Sequence, residues 1–213
     1  MQMSERARPL SADLASKIRI DILSERVRPG EKLTEQAISE NYGVSRTPVR
    51  EAFKNLEAEG LVDMIPNRGA FVIGLTKNDI RDIYILRVKC EVQAVQWAIE
   101  RRTKEEMEAI EENLDFMRFY TERRDANRMR SINSEFHKRI AAASHNRILI
   151  EYLSRIQDYI RYSSHILPYH ESVLETLLME HEEIFATFKT GENEAGALAM
   201  KKHIENSLVR ARI

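Results

Sequence analysis

The stretch Pro29–Leu61, PGEKLTEQAISENYGVSRTPVREAFKNLEAEGL, constrains this chain more than any other. It reads as two short helices joined by a tight turn. Thr34 stands where an N-cap belongs, and Leu33 and Ile38 flank the first turn as a hydrophobic staple. The first helix ends near Tyr42, and Gly43 supplies the turn. Ser45 is placed to cap a second helix, with Pro48 in the first turn, where backbone N–H groups have no helical partner. Gly60 ends that helix as a C′ glycine.

The second helix has two faces. Val49, Ala52, Phe53 and Leu56 recur at helical spacing and predict a buried side. Arg46, Arg50 and Lys54 are four apart, so each turns only about 40° from the last and together they make a basic ridge. A charged helix face is ordinarily just solvated. Held across a turn by a first helix, however, a short basic helix suits the major groove of DNA, where Arg bonds guanine or grips phosphate. Further on, the apolar runs Leu61–Ile65 and Ala70–Ile73 flank Pro66-Asn67-Arg68-Gly69, which predicts a hairpin.

The P-G-x-x-L opening, the GVSRTPVREA block and L-x-x-E-G-L stand here in an order and spacing that closely resemble the winged-helix DNA-binding domain of GntR-family bacterial transcription regulators. The likeness covers about the first third of the chain. It implies DNA contacts from Gln36, Ser45, Arg46, Thr47, Arg50 and Lys54, and from Arg68 and Gly69 at the tip of the hairpin, which becomes the wing.

Charge alone would not have led there. Through Leu75 the chain carries 11 Lys and Arg against 11 Asp and Glu, and the remainder carries 22 against 23. Attraction to phosphate must therefore come from placement, not net charge. A hydrophobic fraction of 43% with 31% charged residues allows a sizeable core. Cys90 is the sole cysteine, so no internal disulfide forms, and its apolar helical setting predicts a packed thiol. The first residues, MQMSERARPL, lack the apolar centre of a signal peptide, and no apolar run approaches the ~20 residues of a membrane span. A cytoplasmic protein is expected.

Residues 1–75 are expected to form the winged helix-turn-helix domain. It opens with a helix from Leu10 or Ser11 to about Arg26, whose Leu14, Ile18, Ile22 and Leu23 share a face. Residues 76–213 read as helix throughout, at about 78–101, 104–123, 126–143, 147–166, 170–189 and 193–211. Thr103-x-x-Glu106 is a capping box; Asp125, Asn146 and Asn193 are placed as caps; Pro168 and Gly191 are stops. Short loops predict an antiparallel bundle. The fold class expected is mainly α: a winged helix-turn-helix with a small β-hairpin, then an all-helical domain.

Histidines carry the chemistry of that second domain. His145 and His170 fall at helix ends, and His165 lies near one. His137, His181 and His203 lie mid-helix on three different helices, each beside apolar residues, with Asn133 one turn before His137. A lone histidine on an apolar face is usually a satisfied core residue. Three converging in one bundle would be a metal constellation, and spacing does not decide convergence. Asn133-x-x-Phe136-His137, Glu180-His181 and the late His203 resemble the FCD ligand domain of the FadR branch of the GntR family, in which an Asp-x-x-x-His pair and two later histidines hold a divalent metal. This chain has Asn133 where that pattern has Asp, so its site loses a charge. Imidazole donors favour zinc or nickel. The resemblance also implies Arg87 as a contact to an acid effector, with Arg161 a second candidate; Glu91, one turn after Arg87, offers a plain salt bridge instead.

The expectation is a ligand-responsive regulator, a repressor in the commoner family outcome. It would bind a palindromic double-stranded operator as a homodimer, with a small carboxylic acid and a metal in the helical domain. Two alternatives stand beside it. In one the metal itself is the signal. In the other the bundle is a metalloenzyme, against which stand the missing His-Glu-x-x-His, the missing Glu-x-x-His before His137 and His181, and the missing Gly-rich phosphate loop.

Overall fold

A computed structural model describes residues 10–66, 68–162 and 170–211, without the side chains of residues 161, 162 and 211. The chain divides into two compact units, Met1–Thr76 and Lys77–Ile213.

In the first unit, α1 (Leu10–Leu23) buries Leu14, Ile18, Ile22 and Leu23 and packs on α3 (Arg46–Ala58). It stops short of the expected Arg26. The Ser24 hydroxyl turns back to donate to the Ile20 carbonyl at 2.6 Å, and Glu25 takes a left-handed φ of 54°, which breaks the helix. Arg19 grips Glu59 with Nε and Nη2, at 2.6 and 2.5 Å, tying α1 to the end of α3. The helix α2 (Glu35–Tyr42) begins at Thr34, whose Oγ1 accepts from the Ala37 N–H at 3.1 Å, and ends at Gly43 with φ 62°. Ser45 occupies the N-cap of α3 but makes no side-chain capping bond, contrary to expectation. The apolar face of α3 is fully buried at Val49, Ala52, Phe53 and Leu56.

The hairpin is present as β2 (Val62–Ile65) and β3 (Gly69–Val72), antiparallel, with Ile65 opposite Gly69. A third strand, β1 (Lys32–Leu33), pairs on the other side of β3, giving the order β1-β3-β2. The sequence reading missed β1, because two residues leave no alternation to detect. Asn67, in the hairpin tip, lies outside the described residues.

The second unit is helical: α4 (Lys77–Arg101), α5 (Lys104–Glu122), α6 (Ala126–Ala143), α7 (Arg147–Tyr162), α8 (Leu174–Thr190) and α9 (Asn193–Ala211). Thr103 and Glu106 form the full capping box at the start of α5. Asp125 caps α6, and Asn146 caps α7 by accepting from the Leu149 N–H at 3.0 Å. Asn193 is not a cap: it is the first residue of α9, and its amide donates to Glu100 at 2.6 Å. Gly191 ends α8 in the left-handed region. A 3-10 turn, Glu171–Val173, delays the start of α8 beyond the expected residue 170. Pro168 and His165 lie outside the described residues. Helix α4 packs against α6, α7 and α9, and α8 against α5 and α9, so α4, α6, α8 and α9 surround one interior. No helix among the described residues is long and apolar enough to cross a membrane.

Candidate metal centre and DNA-binding face

His137 on α6, His181 on α8 and His203 on α9 meet in that interior. All three are buried, and one ring nitrogen from each lies within 4.8 Å of the others. The apolar stripes around them dictate this: Phe136 and Ile140, Ile184 and Phe185, and Met200 and Ile204 are all core residues, so the neighbouring histidines turn inward too. Phe136 stacks edge-on against His181, with centroids 4.8 Å apart.

Each imidazole is oriented through Nδ1. His137 Nδ1 donates to Glu91 Oε2. His203 Nδ1 donates to Glu180 Oε2 at 2.8 Å. His181 Nδ1 donates to the Leu177 carbonyl at 2.6 Å. A carboxylate or carbonyl only accepts, so the proton sits on Nδ1 and Nε2 is left with a lone pair in all three rings. His137 Nε2 and His203 Nε2 stand 3.1 Å apart, and His181 Nε2 has no hydrogen-bond partner. Lone pairs facing each other in a buried space repel unless something positive lies between them.

A proton on Nε2 is disfavoured. Burial pushes His203 down to about 4, with Glu180 only partly offsetting it. Burial, then the neighbouring His203 and His137, hold His181 well below the usual histidine range. His137 is lowered by burial, against the pull of Glu91. Burial alone would raise the two carboxylates, but their partners win. Arg87 and His137 bring Glu91 to about 2; His203, Arg210 and Asn206 bring Glu180 to about 2. Both carboxylates stay ionised.

These residues fit a divalent cation. Two nitrogens on one tetrahedral zinc, each about 2.0–2.1 Å from the ion, stand roughly 3.3 Å apart, close to the observed 3.1 Å. Carboxylate-held imidazoles are the usual outer support of such sites. Asn133, one turn before His137 on α6, has a buried Oδ1 without a partner.

Arg87 is buried and donates through Nε to Glu91 Oε1 at 2.5 Å, with its guanidinium over the Tyr84 ring. The salt bridge that spacing offered is therefore formed, and Glu91 joins Arg87 to His137. The Arg161 side chain lies outside the described residues. Sequence reasoning missed the matching relay on the other side. Arg210 forks onto Glu180, both contacts at 2.8 Å, and Glu180 holds His203. Glu180 beside His181 was the visible hint, but it serves a histidine on a different helix.

In the first unit, Gln36, Ser45, Arg46, Thr47, Arg50, Lys54 and Arg68 are all exposed. The basic ridge is partly tethered: Arg50 Nε donates to Glu35 Oε1 at 2.7 Å, Lys54 meets Glu51 at 2.9 Å, and Gln36 donates to Glu40 at 3.0 Å. Arg50 holds Glu35 below the ordinary carboxylate range. At the tip of the hairpin the Arg68 guanidinium lies 5.7 Å from the Phe71 ring centre. Gly69 has φ 97°, and a Cβ there would sit 3.2 Å from the Leu33 carbonyl of β1, so glycine lets the wing and β1 approach.

A winged helix with an exposed basic ridge on α3, followed by a helical unit with a buried histidine cluster, is the architecture of a DNA-binding transcription regulator. Residues 10–72 match the family described as "Bacterial regulatory proteins, gntR family", and residues 82–206 match the FCD domain. The chain belongs to the FCD-containing GntR-family transcription regulators, which are not enzymes. It is 31% identical to the HTH-type transcriptional regulator YdhC of Bacillus subtilis over 83% of this chain and 78% of that protein. It is 29% identical to the HTH-type transcriptional repressor RspR of Escherichia coli, over 92% and 86% respectively. Among solved structures, E. coli McbR/YncC shares the fold with a TM-score of 0.78 at 20% identity, covering 97% of this chain and 98% of that one.

Proposed function

We propose that this protein is an effector-controlled repressor that binds an inverted-repeat operator as a homodimer. Its helical domain holds a divalent metal, zinc or nickel, through His137, His181, His203 and Asn133. The metal would supply a positive centre for the carboxylate of a small acid effector, which Arg87 also faces. The observation that carries this reading is the convergence of three buried imidazoles, one ring nitrogen from each within 4.8 Å of the others and the Nε2 atoms of His137 and His203 3.1 Å apart. The HTH assignment supports action on DNA, and a repressor among the relatives supports the sign of the effect. Recognition would come from Arg46, Arg50 and Lys54 in the major groove, supported by Gln36, Ser45 and Thr47, with Arg68 and Gly69 of the wing on the backbone or minor groove.

The coordination number separates this reading from the one in which metal alone is the signal. Three histidines and Asn133 would close a tetrahedral site and leave no place for an acid. A six-coordinate ion such as nickel would keep positions open. The test is operator binding by chelator-stripped protein, by protein reloaded with zinc or nickel, and by reloaded protein given a panel of short carboxylic acids. Release by metal plus acid, with no effect of metal alone, supports the effector reading. Release by metal alone makes metal the signal. Elemental analysis showing no metal retained after reloading would sink both.

A further inference from the structure

Gln157 is a buried polar side chain that nothing above uses. It lies on α7, is 4% exposed, and neither Oε1 nor Nε2 has a hydrogen-bond partner. Its neighbours on that face, Leu153 and Ile156, are buried and apolar, so they offer the amide nothing. Helix α7 packs against α4, which carries Arg87 and Glu91, and against α6, which carries Asn133 and His137. A buried amide left unpaired on both sides costs stability, so it calls for an explanation.

Its position supplies one. Helices α6 and α7 are joined by residues 144–146 alone and pack on each other, so they run antiparallel. Counted from residue 145, Asn133 lies twelve residues back and Gln157 twelve residues on. At 1.5 Å per residue both stand ~18 Å from the turn, at one level of the hairpin. Asn133 Oδ1 is itself buried and unpaired, and His137 is one turn away. Other unpaired atoms occur at Asn113 and Ser134, on α5 and α6, but each of those is a single oxygen. Gln157 differs from these in leaving a whole carboxamide unmet, Nε2 and Oε1 together, where each of the others has one unpaired atom.

We infer that Gln157 reads a second polar group on the effector. The effector is then a short acid carrying a group that both donates and accepts hydrogen bonds, a hydroxyl or a carboxamide, and not a plain alkyl acid. This rests on the acid-effector reading above and adds the residue that selects among acids. An acid without the second group would leave the amide unpaired on binding, which is how polar sites reject apolar analogues.

The test uses the full chain loaded with nickel, whose six-coordinate site keeps positions open for the acid. The probes are butyrate, 3-hydroxybutyrate, 4-hydroxybutyrate and succinamate, with binding read by calorimetry. The wild type is expected to prefer a substituted acid over butyrate by about tenfold or more. The hydroxy and amide probes distinguish the two groups. Gln157→Met, similar in length but without the amide, is expected to reduce that preference to about twofold or less, with metal content unchanged. The melting temperature of acid-free Gln157→Met is expected to hold or rise, because an unmet amide has been removed. Gln157→Leu repeats the measurement should the Met variant not fold. Equal affinity for all four acids in the wild type, a preference kept by the variants, or a fall in melting temperature in both variants overturns the role of Gln157 and leaves the acid-effector reading standing. Failure of every probe to bind metal-loaded wild type overturns both.

Discussion

Glu91 and Glu180 each stand between an arginine and a histidine, yet the two relays differ in depth. The Arg87 side chain is 6% exposed, whereas Arg210 is 22% exposed and can hydrate if its partner is lost. Glu180→Gln should therefore lower metal affinity by about 10- to 100-fold, as losing an outer support does, with little effect on the metal-free fold. Glu91→Gln should lower affinity similarly and also destabilise the fold by ~3–5 kcal/mol, because it strands a buried guanidinium. Chelator competition and chemical unfolding of both variants check this; equal stability losses would refute the difference in depth. On the DNA side, Arg46→Ala and Arg50→Ala should each weaken operator binding by ~1–3 kcal/mol if they read bases. Parent-like affinity for both at moderate salt would remove α3 from the interface. Much at this scale was legible. Arg87 and Glu91 are four apart on one helix, and the three histidines sit in apolar stripes. The carboxylates behind the histidines were not, since Glu91 and His137 are 46 residues apart and Glu180 and His203 are 23 apart.

At the scale of elements, the sequence predicted what repeats and missed what touches. Helices with caps and long periodic faces were visible, and so was the hairpin with Pro and Gly at its tip. Two-residue β1 was not, nor was the 3-10 turn before α8, because neither spans a period. Close helix approach was equally invisible. Gly196 lies inside α9, and a Cβ there would fall 2.5 Å from Ile99 Cδ1 on α4 and 2.9 Å from Thr187 Oγ1 on α8. That glycine brings α9, which carries His203, down onto α4, which carries Glu91. Gly196→Val should overpack the seam and destabilise by ~1–3 kcal/mol. It should also weaken metal binding, since it shifts one ligand helix against the others. Thermal unfolding and a metal titration of the variant measure both effects. A stable variant with parent-like metal affinity would mean the Ile99 side chain simply rotates away.

For the whole molecule, acid is the most direct probe, because the buried cluster makes folding and proton binding exclusive. His203 sits at about 4 in the fold and near 6.5 when unfolded. Between those values the unfolded chain holds more protons, so stability rises with pH and is lost on acidification. His137 and His181 are displaced in the same direction and add to it. Glu91 and Glu180, at about 2 against an ordinary 4.5, withdraw their own contribution further down, as pH falls from that ordinary value toward 2. Taken alone, His203 accounts for ~3 kcal/mol between pH 7 and pH 4. A metal held at the proposed site would stabilise the native state at neutral pH by mass action and compete with protons for the imidazole nitrogens, so its added stability should vanish below about pH 6. Metal-free and nickel-loaded protein should thus differ in melting temperature at pH 7.5 and converge by pH 5, with both falling further below that. His137→Ala with His181→Ala should erase the difference at pH 7.5. A metal-induced shift that persists at pH 5, or survives the double substitution, would place the ion somewhere other than the three imidazoles.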